Sequence, residues 1–266
     1  MRDQVVEVID RLGMLRAALR VYEALRSLRP FPRPRTSDGL PLPSRRLRVR
    51  VAGTADPAWF IESGRATALA LVEACSRQGL VLDGGARMLD FGCGCGRVTR
   101  HLVSLVAAKV HGCDPDTEAV RWCARHLGGA HFATQPAAPP LAYADRSFDA
   151  ICAISVFTHL PENDQHVWLA ELYRVLAPAG VLILTTHGER YRGRLVASER
   201  EAFDAGRLVV RRPAAAGTNL CTAFHAERYV REVLARSFEL VELLPGGAAG
   251  VPDQDLIVLQ RPDRAG

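Results

Sequence analysis

The residues best suited to chemistry form a glycine-rich loop. Residues 90–97 read DFGCGCGR, so that Gly92, Gly94 and Gly96 occupy every second position after the apolar run 88–91. Glycine permits positive φ and lets a ligand approach the backbone without an intervening Cβ. In an α/β sheet, the loop at the carboxyl end of the first strand lies where nucleotides bind. We therefore expect this loop to hold a nucleotide-like cofactor.

A second acid follows the next apolar run. Asp114 comes directly after His111-Gly112-Cys113 and 18 residues after Gly96. An acidic side chain there can accept hydrogen bonds from both hydroxyls of a ribose. NAD enzymes place an acid similarly, so Asp114 predicts a ribose-bearing cofactor without choosing among such cofactors. Taken alone, Asp114 also fits a helix N-cap before Pro115.

The glycine spacing separates two cofactors. A dinucleotide fingerprint is GxGxxG, whereas this loop is GxGxG with Asp90 two residues before Gly92. The segment DFGCGCGR resembles motif I of class I S-adenosylmethionine-dependent methyltransferases. The resemblance implies that the loop passes beneath the methionine and ribose of S-adenosylmethionine. It also implies that Asp90 organises the loop beside the methionine ammonium, and that Asp114 with Pro115 binds the ribose.

The adenine contact is predicted from the next part of the resemblance. Residues 139–149 resemble the family's loop before the fourth strand, and a polar or acidic residue slightly upstream usually holds adenine. Thr134 and Gln135 occupy that region, in place of the usual Asp or Asn. We choose Gln135, because its amide can both donate and accept at the purine edge.

The substrate side is predicted from the end of the fourth strand. Residues 155–161 read SVFTHLP, and with residues 168–172 and 176–180 they resemble a bacterial methyltransferase subgroup whose substrates are diverse. The resemblance covers roughly residues 50–262. It places Ser155 on the cofactor side and His159 over the transferable methyl group.

Histidines and aromatic side chains supply the candidate substrate contacts. His159 is the leading general base, because imidazole titrates near neutrality; the alternatives are a positioning role and a purely structural one. His187, just after the fifth strand, and His225, in a late insertion, are substrate-side candidates. Trp59 and Phe60 can close the same pocket from the N-terminal side, or can simply pack between the arm and the core.

The elements that must position these residues alternate along the chain. This alternation predicts a Rossmann-like doubly wound α/β sheet, mostly parallel, with an antiparallel C-terminal strand. The predicted strands are residues 88–91, 110–113, 148–155, 180–186, 238–244 and 255–260, and the predicted helices are residues 57–78, 97–107, 117–127 and 162–176.

Two appendages are predicted around this core. An N-terminal arm, residues 1–50, combines an amphipathic helix over 3–28 with an extended linker rich in proline and arginine. The methyltransferase domain is 51–266, and its segment 188–224 is a substrate-side insertion or lid. The arm can pack on the core, pair two subunits as a homodimer, or lie on an acidic membrane. We favour packing or dimerisation, because the polar face of the helix mixes both charge signs.

Charge and cysteine content exclude several classes of function. The net charge is +5, but the first 50 residues carry +7, which leaves −2 on the remainder. A near-neutral core argues against a nucleic-acid partner, as does the absence of an NPPY-type motif after strand four. The seven cysteines form no CxxC pair, so no metal is expected. Apolar runs are too short to span a bilayer and no secretory signal is present, so a cytoplasmic protein is expected.

The sequence thus predicts a methyltransferase that uses S-adenosylmethionine to methylate a small molecule. A hydroxyl on a sugar, lipid or natural product is the favoured acceptor. The alternatives are C- or N-methylation of a specialised metabolite, methylation of RNA or protein, and a cofactor-binding protein without catalytic activity.

Overall fold

The computed structural model describes residues 14–28, 36 and 38–263. Of the predicted N-terminal helix, the described part is α1 (Leu15–Ser27), and residues 3–13 lie outside the description. Helix α2 (Arg45–Ala52) was not predicted, since four of its eight residues are arginine. Helix α3 (Pro57–Arg77) agrees with the prediction. It begins at Pro57 because Asp56 caps its first turn by accepting from the backbone N–H groups of Ala58 and Trp59.

The centre of the molecule is a seven-stranded sheet in the order β3-β2-β1-β4-β5-β9-β8. Strand β9 alone of the seven runs against the direction of the others. The predicted fold class, a mostly parallel doubly wound sheet with an antiparallel C-terminal strand, is confirmed. The strands are β1 (Arg87–Phe91), β2 (Lys109–Asp114), β3 (Ala130–Thr134), β4 (Phe148–Ala153), β5 (Leu176–Thr186), β8 (Glu239–Leu244) and β9 (Asp255–Gln260).

Helices cover both faces of this sheet. Alternate residues of a strand point to opposite faces, so Leu89 joins one apolar cluster while Met88 joins the other. Helix α6 (Glu162–Val175) packs on the first face, and α3 with α4 (Thr99–Leu105) packs on the second. Helix α5 (Thr117–His126) follows β2. Strand β3 was not predicted, because it is a short edge strand with a largely exposed, partly polar sequence.

The segment 188–224 is more regular than an open loop. It contains α7 (Ala197–Asp204) and a two-stranded antiparallel sheet of β6 (Val209–Arg211) and β7 (Thr222–Phe224). A backbone bridge joins Phe224 to His187 at the end of β5. After it, α8 (Glu227–Tyr229) continues as a π-helical turn to Leu234. The segment 188–224 is therefore attached at the carboxyl ends of the strands, where the glycine loop also lies.

A buried ion pair attaches the linker to the core. The guanidinium of Arg100 is fully buried and donates to both carboxylate oxygens of Asp38, at 2.7 and 2.9 Å. Arg100 also donates to the backbone carbonyls of Leu40 and Pro41. The predicted extended linker thus has a fixed position from residue 38 onward.

The described residues contain no disulfide, no cluster of metal ligands and no membrane-spanning helix. All seven cysteines are buried and free. No group of three or more His, Cys, Asp or Glu side chains is arranged to hold a metal within the described ranges. Across those same ranges, every helix is too short or too polar to cross a bilayer.

Candidate active site

A cavity of about 1150 Å³ lies at the carboxyl ends of β1, β2 and β4. The glycine loop forms its floor, and residues of α1 and α2 close one side. The 3₁₀ turn after β4 and parts of the insertion also line it. Its walls therefore include residues from the arm, the sheet and the insertion, three regions far apart in the sequence.

The glycine loop has no room for side chains. Gly92 and Gly94 both have positive φ, at 76° and 52°. A Cβ on Gly92 would overlap the side chain of Val156, and one on Gly94 would lie 2.5 Å from Val51 of α2. The backbone N–H of Gly92 donates to the carbonyl of Cys113 at 2.8 Å, which ties the loop to β2. Glycine is required here for both backbone conformation and close packing.

Asp90 and Arg97 lie at the two ends of this loop. The Asp90 carboxylate is buried and accepts a 2.5 Å hydrogen bond from the hydroxyl of Thr99, and burial raises its pKa. Arg97 is also buried, donates only to the hydroxyls of Ser63 and Thr67 among the described residues, and stacks over the ring of Trp59. Burial lowers the pKa of the Arg97 guanidinium. Among the described residues no carboxylate lies within ion-pair distance of Arg97, and the buried Asp90 acts on its charge only at longer range. A buried guanidinium of this kind on a cavity wall is suited to an anionic ligand group.

Asp114 joins the ends of β1 and β2. Its two carboxylate oxygens accept one backbone N–H each, from Gly94 and from Asp116, both at 2.8 Å. Burial raises its pKa to about 6, so the carboxylate is ionised at neutral pH. Each oxygen keeps a lone pair for a further donor in the cavity. The alternative in which Asp114 only caps the helix is wrong, because Asp116 caps α5 through the N–H groups of Glu118 and Ala119.

Gln135 carries an unsatisfied acceptor on the cavity wall. Its side-chain oxygen is buried and has no hydrogen-bond partner within the described part of the chain. Its backbone N–H donates to the carbonyl of Asp114 at 3.1 Å, which holds Gln135 next to the ribose-binding candidate. A buried amide oxygen without a donor is costly, so the position is suited to a ligand that donates. Pro115 lines the same wall.

His159 lies in the 3₁₀ turn after β4, with one ring nitrogen fixed. Its Nδ1 is 2.7 Å from the carbonyl of Cys221, and a carbonyl can only accept. Nδ1 therefore carries the proton in the neutral ring, and Nε2 keeps a lone pair. Burial lowers the pKa of this imidazole, so the neutral form dominates at pH 7. His159 lines the cavity.

Gln254 connects Ser155 to His187. The Ser155 hydroxyl donates to the amide oxygen of Gln254 at 3.1 Å, and the amide NH₂ of Gln254 faces Nε2 of His187 at 3.4 Å. Ser155 itself has a positive φ of 58°, which is uncommon for a residue with a Cβ. Burial lowers the pKa of His187 to about 3. Gln254 was not predicted as a site residue, because it lies 99 positions after Ser155 in the chain.

Three predicted substrate-side residues lie behind the cavity wall. Phe60 is packed in an apolar cluster with Leu47 of α2, and only its neighbour Trp59 reaches the cavity. His225 is fully buried, with Nε2 3.1 Å from the amide oxygen of Gln165. His187 lies beside the wall and reaches it through Gln254. The prediction of direct substrate contact is thus corrected for Phe60 and His225, because core packing occupies both side chains.

The roof of the cavity is fixed by Arg50 of α2, which sequence analysis did not select. Its guanidinium contacts Asp116 at 2.7 Å, Glu118 at 3.0 Å and Glu23 of α1 at 3.3 Å. Its carbonyl accepts from the side-chain amide of Asn219 in the insertion, at 2.7 Å. Arg50 therefore connects the arm, the loop after β2 and the insertion across the cavity.

Comparison with known proteins agrees with this architecture. Residues 89–184, from β1 to β5, match a family model described as a methyltransferase domain. A stretch of 110 residues is 32% identical to the fatty-acid O-methyltransferase of Mycolicibacterium smegmatis. This stretch makes up 40% of this chain and 39% of that protein. The methyltransferase GfsG of Streptomyces halstedii is 34% identical over the same length, again 40% of this chain and 39% of the relative. The similarity thus spans about two fifths of these curated relatives.

The fold is shared more widely than the sequence. One similar structure is that of the Burkholderia thailandensis 1,6-didemethyltoxoflavin-N1-methyltransferase with bound 1,6-didemethyltoxoflavin and S-adenosylhomocysteine. The match covers 78% of this chain and 82% of that chain, at a TM-score of 0.54 and 20% identity. At that identity the match concerns the fold alone. Strands β1 to β5 therefore carry the sequence of a methyltransferase domain, on a chain with the Rossmann-like fold of such enzymes.

Proposed function

We propose that this protein is an S-adenosylmethionine-dependent methyltransferase that methylates a hydroxyl of a small molecule. One observation carries the proposal above all others. The glycine loop, Asp114 and His159, whose Nδ1 is held by the Cys221 carbonyl, line the same cavity.

The residues present fit S-adenosylmethionine. The glycine loop lines the cavity beside Asp114, so its backbone lies along the methionine and ribose, and Asp114 accepts from the ribose hydroxyls. The unsatisfied amide oxygen of Gln135 accepts from the amino group of adenine. Arg97, whose charge has no carboxylate partner among the described residues, pairs with the methionine carboxylate, and Asp90 holds the loop beneath it. When bound, the cofactor supplies an electrophilic methyl group.

The chain's own contribution is alignment and proton removal. Nε2 of His159 accepts the hydroxyl proton of the acceptor, while the Cys221 carbonyl holds Nδ1–H and fixes the ring. The lowered pKa keeps the ring neutral before it acts. A positioned general base of this kind contributes on the order of a hundred- to ten-thousand-fold in rate. Ser155, on the predicted cofactor side, and Gln254 add a polar wall to the same cavity.

The test compares turnover with cofactor affinity in two histidine variants. His159→Ala is expected to lower turnover of a hydroxyl acceptor by at least about a hundredfold, with little change in the dissociation constant for S-adenosylhomocysteine. His126→Ala, at an exposed position on α5, is the matched control and should change neither quantity. Unchanged turnover in His159→Ala would remove the base assignment. If His159→Ala lowered both turnover and the affinity for S-adenosylhomocysteine, His159 would instead have a structural role in the pocket.

A further inference from the structure

Helix α1 turns its charged side toward the protein and its apolar side outward. Glu23 is only 3% exposed and pairs with Arg46 and Arg50 of α2, at 3.5 and 3.3 Å. On the opposite side, four apolar side chains are exposed: Met14 by 56%, Val21 by 58%, Leu25 by 63% and Leu28 by 73%. An ordinary surface helix has the reverse arrangement.

These side chains form one continuous stripe. Their spacings of seven, four and three residues place them on a single face of the helix, and the exposed Ala17 and Ala24 fill the intervals. The orientation of the helix is fixed from inside, because Glu23 is held by two arginines and Arg26 donates to the carbonyl of Gly53 at 2.8 Å. The outward direction of the stripe is therefore a consequence of α1 packing on α2.

The charge around the stripe distinguishes its possible partners. The first 50 residues carry a net charge of +7, and Arg20, Arg45 and Arg46 are exposed on α1 and α2. Pairing two copies of the arm would bring two such positive surfaces together, which costs electrostatic free energy. An anionic surface that also accepts apolar side chains complements both features. A bilayer with acidic headgroups has this combination.

We propose that α1 docks this protein on an anionic lipid surface. Val21, Leu25 and Leu28 enter the interface between headgroups and acyl chains, and the exposed Arg20 and Arg45 are attracted to the lipid phosphates. Within the described part of the helix the one acidic side chain, Glu23, faces inward and pairs with Arg46 and Arg50, so it does not oppose an anionic surface. The inference is independent of the proposed methyl transfer.

The test is co-sedimentation of the full chain with vesicles. Vesicles of phosphatidylglycerol mixed with phosphatidylcholine are compared with vesicles of phosphatidylcholine alone, at low and high salt. The wild type is expected to bind the anionic vesicles, and to bind less as salt screens the arginines. The double variant Val21→Gln with Leu25→Gln should weaken this binding on the order of tenfold or more. Val81→Gln, at an exposed apolar position next to the core, is the matched control.

Two further measurements keep the result unambiguous. Neither Val21 nor Leu25 lines the cavity, so the double variant should keep the wild-type melting temperature and S-adenosylhomocysteine affinity. Absence of wild-type binding to anionic vesicles overturns the proposal, as does equal binding by the double variant. A dimer in sedimentation velocity that the double variant dissociates, without vesicle binding, assigns the stripe to a second copy instead.

Discussion

Single carboxylates in this molecule are governed by the balance between burial and hydrogen bonding. Asp114 accepts two backbone N–H groups, which favour its ionised form, but burial is the larger effect and raises its pKa to about 6. Its ionisation therefore falls close to physiological pH. For the proposed role this matters, because only the ionised carboxylate can accept from both ribose hydroxyls at full strength.

This pKa predicts how cofactor affinity depends on pH. Above pH 6 Asp114 is ionised and binds both hydroxyls; below pH 6 it is protonated, so affinity for S-adenosylhomocysteine should fall as pH decreases from 7 to 5. Asp114→Asn should lower affinity at least about tenfold at pH 7 and remove most of this pH dependence. Titration calorimetry at a series of pH values measures both effects. A variant that retains the wild-type pH profile would show that another group is responsible.

A second prediction for a single residue concerns Gly94. Gly94→Ala introduces both a left-handed backbone strain, about 1–2 kcal/mol, and an overlap with Val51. Gly79 has a similar positive φ of 72° with open space around it, so Gly79→Ala carries the strain alone. Chemical denaturation should show a larger loss of stability for Gly94→Ala. Only that variant should weaken cofactor binding; equal effects of the two would mean that the approach of α2 to the loop is unimportant.

At the level of helices and strands, the arm and the core are connected by a few charge pairs, of which Arg100 with Asp38 is buried and Arg50 with Asp116 is partly exposed. Residue 38 is held against α4 by Arg100, and α2 is held over α5 by Arg50. Each contact joins segments that are more than 60 residues apart in the chain. The cavity roof therefore depends on charge pairs as well as apolar packing.

The buried pair predicts a large stability effect. Asp38→Ala leaves the fully buried Arg100 guanidinium without its carboxylate, which should cost about 3–5 kcal/mol in the free energy of unfolding. The exposed pair of Arg192 with Asp204 is the comparison, and Asp204→Ala should have little effect on stability, because water screens an exposed ion pair. Urea denaturation of both variants measures the difference. Similar small losses would indicate that Arg100 is satisfied by the Leu40 and Pro41 carbonyls alone.

At the scale of the whole molecule, local patterns were predictable and distant combinations were not. The glycine loop and strand β1 were evident because their signal lies within ten consecutive residues. Strand β3 and helix α2 were not, since an exposed edge strand and an arginine-rich helix lack the usual apolar period. The burial of Phe60 and His225, and the part played by Gln254, depend on contacts between remote segments. No spacing in the sequence encodes those contacts.

The cofactor preference of the purified protein tests whether the glycine loop and Asp114 bind S-adenosylmethionine. Calorimetric titrations with S-adenosylhomocysteine and with NAD compare the two ribose-bearing cofactors that Asp114 alone does not separate. We expect micromolar binding of S-adenosylhomocysteine, because the loop is a side-chain-free GxGxG cradle, and no measurable binding of NAD. Tighter binding of NAD, or no heat with S-adenosylhomocysteine at millimolar concentration, would contradict the account.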